Sequence, residues 1–230
     1  DKNMAQLPNI LSGITINRIE VWVTNKRGNY DNPRNIVALA DLGEAFRMGN
    51  SVWGGSGNAS SPMSVENLPA NGANTQYQQM VSTYAAARNI TQVTSVLSAI
   101  PGMEISMDYE KIESARRLES SEYTLNSQLG FISLRQALNN DEVLAVAFEY
   151  TYNGKTYQVG EFSTDGIDAP KTLIVKLLKG TATSPQTALW DLMMKNVYYL
   201  GGNQVQQEKF KLNIQYKNDS SGVYVNYIPD

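Results

Sequence analysis

Four acidic residues, Asp108, Glu110, Glu113 and Glu119, crowd one short stretch of this chain. Paired carboxylates are what glycoside hydrolysis requires, one as acid and the other as base or nucleophile. Glu113 also stands four residues before Arg117, the spacing of an ordinary helical ion pair, so a solvated helix face is the favoured reading. Gly54-Gly55-Ser56-Gly57 is the glycine-rich segment, but a phosphate loop also needs a following Gly-Lys-Ser/Thr, and Asn58-Ala59-Ser60 stands there instead. Asp165-Gly166-Ile167-Asp168 offers two carboxylates to calcium without the further oxygen ligands that such a loop needs, and reads as a tight turn. Trp22, Trp53 and Trp190, with 13 tyrosines, have the chemistry of a sugar- or peptide-stacking surface, although strands select aromatics in any case. Trp190 reads as core. Trp53 lies in the Gly/Ser stretch, where burial is hardest to arrange, and with Tyr30 and Asn58 forms the predicted partner-contact set.

The absences narrow the chemistry further. With no histidine and no cysteine, a Ser-His-Asp triad, a histidine-ligated zinc, thiol catalysis and disulfides are all excluded within this chain. Carboxylate, lysine and tyrosine chemistry remain open. No motif calls for a cofactor or a metal. The 230 residues carry a formal net charge of -3 and a pI of about 5.1, which does not suit a nucleic-acid surface or a polybasic membrane patch. No apolar run approaches the roughly 20 residues of a membrane helix. The start at Asp1-Lys2-Asn3 reads as an excised piece or a mature form.

The elements that must carry these residues follow from periodicity. Ile14 to Thr24 is a strand whose parity shifts, with Ile14 and Ile16 on even positions and Ile19, Val21 and Val23 on odd ones; a bulge near Asn17-Arg18 reconciles the halves. Asn35 to Leu42 is a second strand expected to pair with the first. Tyr77, Met80, Val81 and Tyr84 recur at helical spacing, and so do Val93, Val96, Leu97 and Ile100, with Thr91 as N-cap and Pro101-Gly102 as stop. Asp108 to Arg117 reads as a third helix, and Ser184-Pro185 opens a fourth that runs to Leu200.

Tyr123 to Leu134 alternates as one half-buried strand. Leu144 to Tyr152 and Lys155 to Phe162 flank Asn153-Gly154, the pair that favours a two-residue hairpin turn. That hairpin opposes Tyr150 to Tyr157 and Phe148 to Val159. Leu173 to Lys179 is apolar on both faces, as a central strand is. Phe210, Leu212, Ile214 and Tyr216 alternate with polar residues as a half-buried strand, which Asn218 to Gly222 turns into a last one.

The expected fold class is therefore α+β: mainly an antiparallel β-sheet or sandwich with about four helices packed against it. The organisation read from composition is an N-terminal β-hairpin portion over 1–48, a flexible Gly/Ser/Asn-rich loop over 49–74, and a mixed remainder over 75–230, all within a single domain.

Several stretches resemble one family. They are Ile19-Glu-Val-Trp-Val-Thr-Asn25, Asn35-Ile-Val-Ala-Leu-Ala-Asp-Leu-Gly-Glu44, Asp108-Tyr-Glu-Lys-Ile112 and Glu122 to Leu134. Asp141 to Tyr152, Tyr157 to Phe162, Ala169 to Gly180 and Leu189 to Tyr198 complete the set. In order and over most of the chain they are similar to the SprA/Sov family, the very large outer-membrane translocon of gliding motility and type IX secretion in Bacteroidetes. Gly49 to Asn74 and Gly201-Gly202-Asn203 are where members of that family vary.

The resemblance implies a non-catalytic domain inserted at one end of a giant pore, not a piece of barrel wall, which would repeat segments of roughly ten residues with a lipid-facing row. Such a domain caps or lines the pore, or docks partners. Those implied partners are outer-membrane β-barrel proteins, secreted cargo and the remainder of its own translocon chain, with no nucleic acid and no direct membrane insertion. The implied location is the cell envelope, on the extracellular or periplasmic face of the outer membrane. The family contributes no catalytic motif. A cell-surface carbohydrate- or peptide-binding β-sandwich and a carboxylate-dependent hydrolase using Glu110 and Glu113 are the competing readings.

Overall fold

β-Branched and aromatic residues dominate the segments that become strands, as expected for chains that must pack on a pleated surface. The computed structural model describes residues 10, 12–26, 28, 31–44, 68–194, 208, 210–211, 213, 215–217 and 221–226. Two compact units emerge, Asp1–Met193 and Met194–Asp230. The first holds β1 (Ile14–Val23), β2 (Arg34–Leu39), β3 (Tyr109–Arg117), β4 (Tyr123–Asn126), β5 (Phe131–Leu134), β6 (Leu144–Tyr152), β7 (Lys155–Val159) and β8 (Leu173–Lys179). It also holds two short α-helices, α1 (Gln76–Val81) and α2 (Val93–Leu97), and 3-10 turns at Ala85–Arg88 and Ala188–Leu192.

Five of these strands close on themselves in the order β1-β3-β2-β8-β6 and back to β1. All neighbours are antiparallel except β2 and β8, which run parallel. The seams are unequal. β1 pairs with β6 from Ile14↔Tyr152 to Val23↔Leu144, whereas β1 meets β3 only at Trp22↔Arg117 and Val23↔Arg116.

A barrel of so few strands is narrower than the eight-stranded kind whose interior side chains just fill, so its inward positions must alternate large with small. The interior obeys this rule. Trp22, Phe162, Ile36, Ile112, Leu173, Val175 and Leu177 share it with Ala38, Ala40, Ala115, Ala145 and Ala147. The outer surface is covered twice. Met80, Ala87, Val93, Leu97, Ile100 and Met103 from the helical segment pack on Val37, Leu39, Tyr109, Val159 and Ile174. Tyr123, Ile132, Leu134 and Leu138 from the β4–β5 excursion pack on Ile19, Val21, Val23, Leu144 and Val146. Each such side chain, fully buried, contributes roughly 1.5–3 kcal/mol.

Several sequence readings hold. The register of β1 shifts between Ile16 and Arg18, as its parity required. The β6–β7 hairpin turns at Asn153-Gly154 and opposes Tyr150 to Tyr157 and Phe148 to Val159. β8 is a central strand, buried from Leu173 to Leu177. The two apolar stripes at helical spacing form α1 and α2, although Gln92 and not Thr91 occupies the N-cap position.

The expected fold class does not hold. The chain is mostly β, a closed barrel with two short helices, and not a sheet or sandwich with about four. Asp108 to Arg117, read as a helix, is β3. Its register against β2 jumps from Ile36↔Ile112 to Arg34↔Ala115, and Ser114 in the bulge has φ of 50°. That extra residue sets Ile112 and Ala115, which share the interior face, three apart, a spacing that imitates a helix. Of the fourth helix, the described residues show only the 3-10 turn Ala188–Leu192. β2 pairs with β3 and β8, not with β1. Tyr123 to Leu134 is not one strand but a hairpin, because Asn126 Oδ1 accepts from the N–H groups of Gln128 and Leu129 and starts a turn.

The second unit contains a two-residue ladder, β9 (Tyr216–Lys217) against β10 (Tyr224–Val225). Phe210, Tyr216 and Tyr224 are about half exposed there. Among the described residues, no helix is long and apolar enough to cross a membrane.

Candidate functional site

The predicted contact residues Tyr30, Trp53 and Asn58 lie outside the described residues, as does most of the Gly/Ser stretch. Its last part, 68–74, is described and is not the exposed loop its composition suggests. Ala70 and Ala73 are buried there, Asn71 exchanges hydrogen bonds with Gly160, and the Pro69 carbonyl accepts from the Tyr150 hydroxyl at 2.6 Å.

The acidic group is split by the strand that carries it. Glu110 is buried and accepts from the Thr181 N–H at 2.7 Å and its hydroxyl at 2.6 Å. Glu113 is exposed beside Lys111 at 3.0 Å. Asp108 accepts from the Glu104 N–H, and burial raises its pKa. Arg117, the expected helical partner of Glu113, reaches Glu20 instead. Asp165 behaves as the turn reading requires: its Oδ2 accepts from the Phe162 N–H and the Gln158 amide. Among the described residues, no group of three or more Asp or Glu could hold a metal ion. Trp190 is half-buried, and Trp22 is core.

Buried charge serves the scaffold. Glu161, 1% exposed, accepts both guanidinium nitrogens of Arg88 at 2.5 and 2.6 Å, the Tyr77 hydroxyl at 3.0 Å and the Ile174 N–H at 2.8 Å. The clamp ties the helical segment to the barrel. Burial, and then the charge of Glu161, push the Tyr77 phenol up to about 12. Arg88 is raised too: burial lowers its pKa, but the hydrogen bonds and charge of Glu161 outweigh it. Lys176, nearly buried, donates to the Ala40 carbonyl and pairs with Glu44 at 2.8 Å.

A recess with mixed chemistry opens at the base of the β4–β5 excursion. It is a groove of about 430 Å³ between Val23 and Leu118 on the barrel side and Leu134, Ala137 and Leu138 on the other. Arg116 and Glu122 form an ion pair in it at 2.6 Å, with Glu122 also accepting from the Glu119 N–H. Lys26, at the rim, is bonded to Asp141, and that bond lowers the pKa of Asp141. Arg135 is exposed on the same rim, and its side chain forms no ion pair with any described residue. No aromatic residue lines the groove.

None of the groove residues was singled out from the sequence. Residues from 23 to 142 meet in it only because the barrel closes, and the local signal was limited to Arg116 and Glu122 flanking a turn. Comparison with known protein families and with curated proteins finds no match to this chain.

Proposed function

We propose that this chain is a non-catalytic domain of a type IX secretion and gliding-motility outer-membrane translocon, and that it docks partner or cargo proteins in the cell envelope. The observation that carries the reading is the run of stretches similar to the SprA/Sov family, which between them include β4, β5, β6 and β8 and parts of β1, β2, β3 and β7. The groove supports docking in particular. An apolar floor with one uncompensated cation at its rim suits an apolar peptide segment that carries a carboxylate, and both terms contribute to such recognition. A glycan platform receives no support from this groove, which lacks an aromatic floor.

The test is capture from the envelope of a type IX-secreting bacterium with this domain as bait, beside Leu138→Asp. Recovery of outer-membrane barrel partners or type IX cargo by the parent, and its loss with Leu138→Asp, is the expected result. Recovery of neither by bait shown to be folded overturns docking.

A further inference from the structure

We infer that the mouth of the barrel beside the Phe162–Asp168 turn is a binding site for a small oxyanion, a phosphate or a carboxylate group. Three arginines converge on that turn. Arg34 donates to the Ser163 carbonyl at 3.3 Å, to the Ile167 carbonyl and to the Lys171 carbonyl at 3.5 Å. Arg117 donates to the Ser163 hydroxyl at 3.4 Å. Arg18 donates to the Thr164 hydroxyl and lies over the Phe162 ring at 3.7 Å.

Their compensation is incomplete. Arg34 is 9% exposed, forms no ion pair with any described residue, and keeps its Nε buried with no acceptor. A buried guanidinium without a counter-charge is costly, and an orphaned buried donor calls for a bound water or ion. Glu20 lies 3.5 Å from Arg117 and 3.9 Å from Arg18, yet its two oxygens also accept the Ser163 N–H and hydroxyl, both at 2.8 Å. Asp165 stands 4.0 Å from Arg18 with its other oxygen already bonded. Glu149, opposite Arg18 in the β1–β6 ladder, forms no ion pair with it.

The cluster thus sets three guanidiniums against two close carboxylates. Two of those arginines, Arg18 and Arg117, keep side chains 41% and 44% exposed, open to a ligand from solvent. Guanidinium donors in this arrangement match the planar, multi-oxygen geometry of an oxyanion. The inference stands independently of the translocon reading.

The experiment is calorimetric titration of the full 230-residue chain with sodium phosphate and, separately, sodium acetate, at ionic strength held constant with sodium chloride. Arg18→Gln and Arg117→Gln, at half-exposed positions that leave the core intact, are titrated beside Lys26→Gln as a control. Expected is saturable binding of at least one oxyanion, weakened about tenfold or more by either arginine variant and unchanged by Lys26→Gln. Tighter binding of phosphate assigns the site to free phosphate, and binding of acetate alone assigns it to carboxylates. Equal heats in all four proteins, or no saturable binding, overturn the inference.

Discussion

Replacing Glu161 by alanine removes the acceptor for four donors at once. Arg88, with only 21% of its side chain exposed, loses its counter-charge, and the Ile174 N–H and Tyr77 hydroxyl lose their partner. Breaking a buried ion pair from one side costs about 3–5 kcal/mol, because the remaining charge stays buried and uncompensated. A single buried donor left unsatisfied costs about 1–3 kcal/mol. These costs overlap, so the expected loss for Glu161→Ala is about 4 kcal/mol. Glu161→Gln keeps an acceptor for Ile174 and should lose about 2 kcal/mol, at the upper range of a charged hydrogen bond. Urea unfolding followed by the fluorescence of Trp22, which is buried inside the barrel, measures both. Hydrogen exchange locates the effect, which should concentrate in the helical segment 76–100. A loss below about 1 kcal/mol for Glu161→Ala, or exchange rising equally in all strands, refutes the clamp.

Four further outcomes follow from the same geometry. Tyr77 holds its proton up to about 12 in the folded chain against 10.0 for the free side chain; the native state therefore binds more protons than the unfolded one between these values. Stability falls as pH rises through that window by at most about 2.7 kcal/mol, reduced to about 1 by partial exposure, and in pH-dependent urea melts Tyr77→Phe should lack this component. Gly160→Ala should cost about 2 kcal/mol in the same melts, because φ there is +77° and a Cβ would stand 3.2 Å from that of Ala147 and 3.3 Å from the Val175 Cα. Ala38→Leu should overpack the narrow interior and destabilise by about 1–3 kcal/mol, whereas Lys155→Gln, exposed at the hairpin turn, should change stability by less than about 0.5 kcal/mol.

Local signals were readable and closure was not. Asn153-Gly154 sets its own register, since a two-residue turn leaves one pairing for the residues on either side. The parity shift at Asn17 announced the β1 bulge because both halves of that strand alternate cleanly. β3 concealed itself, because the bulge at Ser114 sets Ile112 and Ala115 three apart where alternation would set them two apart, and the acidic residues then took on the look of a helix face. In Tyr123 to Leu134, Asn126 and Gly130 did mark a turn, but the apolar alternation runs through it and joined two strands into one. Nothing local tells β1 that its partner lies across the chain in β6; that pairing depends on the interior volume that alanines at 38, 40, 115, 145 and 147 make small enough to close. The groove inherits the same illegibility, since its residues come together only after closure.

The most direct test of the docking reading is site-specific photo-crosslinking from the groove, with a photoreactive residue in place of Ser121, which lines it and leaves Arg135 intact, in this chain produced in a type IX-secreting bacterium. The account predicts crosslinks to outer-membrane barrel partners or secreted cargo, abolished by Leu138→Asp in the same molecule. Crosslinks that are absent, or that persist unchanged with Leu138→Asp, contradict it.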